Sequence, residues 1–88
     1  MEFRWIQWNV DKCHKHGVSP DEAEEVVQNA RRPYPRKMDD EKTIVCGQTE
    51  HGRYLQVIYL MDEDDALFVI HAMPLSSRKK RNYRRSQK

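Results

Sequence analysis

The cysteines and histidines, which bind metals and do nucleophilic or proton-transfer chemistry, number six in this sequence: Cys13, His14, His16, Cys46, His51 and His71. Tetrahedral metal sites draw ligands from close pairs such as C-x2-C or H-x3-H, and no such pair occurs here. Cys13 and His14 are adjacent and would point apart on a helix, so the spacing predicts no metal site and no cofactor. Cys46 alternates within an apolar strand and reads as packing rather than as a nucleophile. Acid–base work is better served. An imidazole is the one group in the set that titrates near neutrality without special perturbation, and His16 lies four residues after Lys12, on one helix face with it and next to Lys15. The competing account of His14, Lys15 and His16 is charge compensation at a helix C-terminus. His71, mid-strand among apolar neighbours, reads as a hydrogen-bonded core residue.

The second chemical feature is a charge division. Up to residue 74 there are nine Lys/Arg against fourteen Asp/Glu, a net charge of −5, whereas residues 75–88 carry seven Lys/Arg and no acid, +7. A basic arm on an acidic body is a footprint for nucleic acid or for an acidic protein partner. Arg78, Lys80, Arg81 and Arg84 are therefore candidate phosphate or partner contacts. Tyr34, between two prolines, and Tyr83, within the arm, are the candidates for stacking on bases. Trp5 and Trp8 are expected in the core.

These groups need a scaffold, and its centre is the stretch from Arg53 to Ala72. The runs Tyr54–Met61 and Ala66–Ala72, rich in Val, Ile, Tyr, Phe and Leu and separated by Asp62-Glu63-Asp64-Asp65, predict a β-hairpin with its acidic tip in water. Strict alternation puts Leu67, Val69, His71 and Met73 on one face. Both faces are mostly apolar, so helices are expected over one and burial over most of the other. Thr43–Gln48 adds a strand through a turn at Glu50-His51-Gly52, completing a three-stranded meander.

Asn9 reads as the N-cap of a short helix over Val10–His16, ended by Gly17. Ser19-Pro20-Asp21-Glu22 is a capping box with Pro at the first helical position, opening a helix to about Asn29. Its Ala23, Val26, Val27 and Ala30 form the face that packs on the sheet. Residues 31–41 form an extended connection with an edge-strand segment, and Ser76 or Ser77 caps a basic C-terminal helix over 76–88 with only Leu75 and Tyr83 to anchor it, so its last residues are expected to fray. The expectation is one α+β domain over residues 1–88, with two N-terminal helices on a three- or four-stranded antiparallel sheet. The chain has no apolar run long enough to span a bilayer and no signal-peptide core, which points to the cytoplasm and away from membranes. Two distant cysteines are expected to stay reduced.

The run from Trp8 through Lys15-His16-Gly17-Val18-Ser19 to Glu22-Ala23-Glu24-Glu25 resembles the opening of the BrnT-like toxin family. Gly47-Gln48-Thr49 followed by Gly52-Arg53-Tyr54-Leu55 is similar to that family's turn between its second and third strands. Ala72 through Ser76 to Arg81 and Tyr83 resembles its strand-to-helix end, although Met73 stands where the family usually has Arg and Lys79 where it has Glu. The resemblance implies a RelE-like fold. It also implies an RNA-cleaving toxin of a type II toxin–antitoxin pair, metal-independent and neutralised by a small DNA-binding antitoxin. It adds Arg53 to His16, Lys15 and Lys12 as a candidate catalytic residue, acting on the phosphate. The alternative is a non-catalytic nucleic-acid or protein-binding module with the same fold, and the sequence leaves homo-oligomerisation open.

Overall fold

The β-formers between Lys42 and Pro74 pair as their pattern predicts. The computed structural model describes all residues, Met1–Lys88, and places strand β3 at Lys42–Gln48, β4 at Tyr54–Met61 and β5 at Leu67–Pro74 in an antiparallel meander. Two further strands extend the expected sheet. β1 (Phe3–Arg4) runs parallel to the start of β5, and β2 (Arg36–Lys37) is an edge piece antiparallel to β3, giving the order β1-β5-β4-β3-β2. The sheet is thus five-stranded and mixed, not a three- or four-stranded antiparallel one. At this strand Phe3 packs against the core, the Leu67 N–H donates to the Glu2 carbonyl, and Arg4 forms ion pairs with Asp62 and Asp64 of the hairpin tip.

Helix α1 (Gln7–His14) starts earlier than expected. Asn9 is fully buried and sits one turn inside the helix. Its Oδ1 accepts from the Ile6 backbone N–H at 2.7 Å, and its Nδ2 donates to the Arg4 carbonyl at 3.0 Å. Asn9 therefore satisfies an orphan helix-end donor from within, which frees Ile6 to be the boundary residue. The helix also ends earlier than expected, at His14, which leaves Lys15 and His16 in the turn before Gly17. Val18 N–H donates to Cys13 and Gly17 N–H to His14, with Gly17 at φ +72°, the left-handed conformation glycine adopts without strain. Helix α2 (Pro20–Gln28) carries the expected reciprocal box between Ser19 and Glu22.

Cys13 and Val18 join Ala23, Val26 and Val27 of α2 in a core against Val45, Leu55, Val57, Leu67, Val69 and Ala72. The approach of α2 to β3 is close: a Cβ on Gly47 would lie 3.2 Å from the Val26 side chain. Trp5 packs against this core, but Trp8 is 48% exposed and stacks on Phe68, so only one of the two tryptophans is where the sequence suggested.

The other face of the sheet is buried only in part. Cys46 and Gln56 lie buried near α3 and Phe68 is met by Trp8, while Ile58, Leu60, Phe68, Ile70 and Met73 stay half-exposed. Helix α1 flanks this face along β5, and helix α3 (Ser77–Ser86), capped by the Ser76 hydroxyl, stands at its end. Contrary to the expected fraying, α3 is helical to Ser86, and Gln87 Nε2 donates to the Arg32 carbonyl at 2.7 Å.

Candidate functional site

The open face owes its chemistry to one irregularity. The β4–β5 register pairs Ile58 with His71 but Tyr59 with Val69, leaving Ile70 without an opposite residue. Such a bulge reverses the alternation beyond it. Leu67 and Val69 point into the core, then Ala72 does, while His71 turns to the open face with Met73. His71 is therefore not a hydrogen-bonded core residue: it is half-buried and its ring makes no hydrogen bond within the chain.

There it meets His16. The two imidazole centroids are 5.5 Å apart, inclined at 61°, with His16 exposed in the turn that ends α1. Burial lowers the His71 pKa from its ordinary 6.5, and the neighbouring charges of His16, Lys79 and Lys12 act in the same direction. Lys12 comes from α1, where its ammonium lies 5.3 Å from the Trp8 ring centre. Lys79 comes from α3 and donates to Gln56 Oε1 at 3.2 Å. The two imidazoles come from the turn after α1 and from β5, and His71 feels the charge of ammonium groups from α1 and α3. Lys15, just past the end of α1, is exposed and lines a shallow cleft with Trp8, Asp11 and Lys12.

Arg53 is engaged elsewhere. Its Nη1 donates to both Glu22 carboxylate oxygens at 2.8 Å and to the Gly17 carbonyl at 3.0 Å, tying the start of β4 to the α1–α2 corner. Through Nη1 alone the guanidinium clamps the corner that carries His16, and the side chain stays partly exposed. Burial pushes the Glu22 carboxyl up, but the Ser19 backbone N–H and Arg53 outweigh it, and its pKa ends below the usual 4.5. The clamp's stabilisation is present above pH 4.5 and is lost as the pH falls through that lowered value. Arg53→Ala is expected to cost about 1 kcal/mol, because the pair is partly exposed, and Glu22→Ala about 1–2 kcal/mol, because it removes the cap contact as well. Urea titrations at pH 7 and pH 3 check this: the difference between wild type and Arg53→Ala should shrink at the lower pH.

A second group lies on the same face nearer α3. Tyr34 and Tyr83 come together with ring centroids 6.1 Å apart, and Tyr54 meets Tyr83 at 6.0 Å. Arg36 lies over Tyr34 and Lys80 over Tyr54. Burial, with Cys46 alongside, pushes the Tyr34 hydroxyl up to about 12, and burial raises the Cys46 thiol, which disfavours a thiolate. Arg78, Arg81 and Arg84 are exposed and form no ion pair; Arg81 and Arg84 share a shallow cleft with Arg85 and Lys88. No three His, Cys, Asp or Glu side chains come together in a metal-binding group.

The chain matches no protein-family model, no curated protein and no solved structure. What it does has to be argued from this geometry. Of the residues singled out by type and spacing, Tyr34 and Tyr83 come together, and His16 meets a residue expected in the core, His71. A bulge between two apolar runs leaves no periodic signal that would have placed His71 on the open face.

Proposed function

We propose that this chain cleaves single-stranded RNA on the open face of its sheet, without a metal, using His71 as general base and His16 as general acid. The observation that carries the reading is the approach of those two rings, 5.5 Å between centroids, beside the ammonium groups of Lys12 and Lys79. Transfer to the 2′-oxygen needs a base for its proton, an acid for the leaving oxygen and positive charge on the phosphorane between them. In the proposed step, His71 takes the 2′-hydroxyl proton as the 2′-oxygen attacks phosphorus. The P–O5′ bond breaks as His16 protonates the departing 5′-oxygen, and a 2′,3′-cyclic phosphate and a 5′-hydroxyl result. Lys12 and Lys79 lower the cost of charge on the phosphate oxygens, while Lys15 and the arginines of α3 hold more distant phosphates.

This reading agrees with the resemblance to BrnT-like toxins, and with it comes the proposal of a RelE-like cytoplasmic ribonuclease restrained by a small antitoxin. The two departures from the family together leave this face one unit more positive, since Met73 for Arg removes one charge and Lys79 for Glu adds two. Met73 leaves an Arg out, but its cross-strand partner Gln56 receives the ammonium of Lys79, which stands where the family has Glu. A second reading, a non-catalytic binding module, draws on the separate cleft of Arg81, Arg84, Arg85 and Lys88.

Incubating the chain with a single-stranded RNA in EDTA tests the proposal. Fragments ending in 2′,3′-cyclic phosphate support it; intact RNA that shifts in a gel and is released by salt supports the binding module instead. The pH dependence is also set. His71 must be neutral to act as the base, so the rising limb of kcat/KM should fall below pH 6.5, the value from which its pKa is lowered. Lys79→Ala, which removes one of the neighbouring positive charges, should move that limb upward.

A further inference from the structure

Beside the histidine pair, α3 and the Pro33–Arg36 segment enclose a cleft of about 350 Å³ above β3 and β4. Its walls are Tyr34 and Tyr83, its floor includes Cys46 and Gln56, and Arg36 and Lys79 stand at its edges. Gln56 is the informative residue. It is 6% exposed, and its carbonyl accepts from Lys79, which as a pure donor fixes the amide's orientation. The Nε2 group then has no acceptor in the protein, and since no buried polar atom of the chain lacks a partner, that nitrogen keeps access to the cleft that Gln56 lines.

We infer that this cleft is a nucleobase subsite of the proposed ribonuclease, in which the tyrosine walls receive the ring and Gln56 Nε2 donates to a base carbonyl. The inference deepens the reading above and rests on it for the identity of the ligand. Three features argue for a base of RNA over a purely apolar ligand. Aromatic walls accept any base by stacking. An amide donor open to the cleft, with no acceptor in the protein, selects for a carbonyl. Lys79 joins the cleft to the chemistry: its ammonium bonds to Gln56, and its charge is felt at His71. Gln56 and His71 are diagonal neighbours on one face of adjacent strands, about 7–8 Å apart. A base in the cleft therefore sets its own sugar and phosphate at the histidines, so the subsite would choose where the strand is cut.

Uracil, cytosine and guanine present a carbonyl, and adenine presents none. The subsite should therefore favour U4 over A4, and a lost hydrogen bond of this kind is read as about a tenfold difference. The test uses the full chain and fluorescein-labelled 2′-O-methyl tetranucleotides, which have no free 2′-hydroxyl and so report binding whether or not the chain cleaves RNA. Wild type should bind U4 about tenfold more tightly than A4 by fluorescence anisotropy. Gln56→Met, close in shape, should bring the two together, and Tyr83→Ala, on the half-exposed helix, should weaken both without changing their ratio. Equal affinity of wild type for U4 and A4, or discrimination unchanged in Gln56→Met, overturns the subsite. Failure of cleavage in EDTA alongside intact discrimination overturns the catalytic reading and leaves the subsite standing.

Discussion

Replacing His71 with alanine is expected to lower RNA cleavage by about a hundredfold to ten-thousandfold while the protein keeps its fold. The side chain is half-buried, makes no hydrogen bond and faces away from the core, so its removal leaves neither an unpaired polar group nor a sealed cavity. His16→Ala should lose activity by a similar factor. The informative variant is the double one. Groups that act on one proton-transfer step are non-additive, so His16→Ala/His71→Ala should be little worse than either single change. Single-turnover cleavage of a labelled oligonucleotide, with circular dichroism as the control on folding, measures this. Additive losses would mean that the two rings act in separate steps, and unchanged cleavage in His71→Ala would remove it from the site.

The second large effect is on stability. Leu55 is fully buried on the inner face of β4, the middle strand of the meander, in the core that also holds Cys13 and the apolar face of α2. Leu55→Ala removes packing that the surrounding strands cannot close over, at a cost of about 2–5 kcal/mol. A domain of this length buries only about 60–65% of its unfolded surface, and its whole stability is on the order of 5–10 kcal/mol. The substitution should therefore use up a large part of it, visible as a marked fall in the urea midpoint with the slope unchanged. Leu60, of similar apolar character but half-exposed on the open face, gives the contrast: Leu60→Ala should cost less than half as much. A comparable loss at Leu60 would mean that a further element covers that face in solution.

That contrast marks where the sequence stopped being informative. The apolar runs of the central hairpin, the third strand and the box at Ser19 and Glu22 are local signals, each carried by residues within one or two turns of the chain, and each appeared where expected. So did the left-handed Gly17 and the buried Ala23, Val26 and Val27. Everything decided by partners far along the chain was out of reach. Arg4 pairs with the hairpin tip about sixty residues away, and Phe3-Arg4 adds a strand to the sheet. Arg53 carries no local sign that its Nη1 is tied to Glu22 and Gly17, which lie 31 and 36 residues away.

The site itself divides in the same way. The sequence determined that His16, Lys12 and a basic C-terminal helix exist, because helix periodicity and composition are properties of neighbouring residues. Only the tertiary structure brought His71 to His16 and Lys79 to Gln56. The physical reason is the extra residue at Ile70: with a side-chain period of two, one unpaired position exchanges the faces of every residue beyond it, and pairing between strands, not the order of residues in one strand, decides where that position falls.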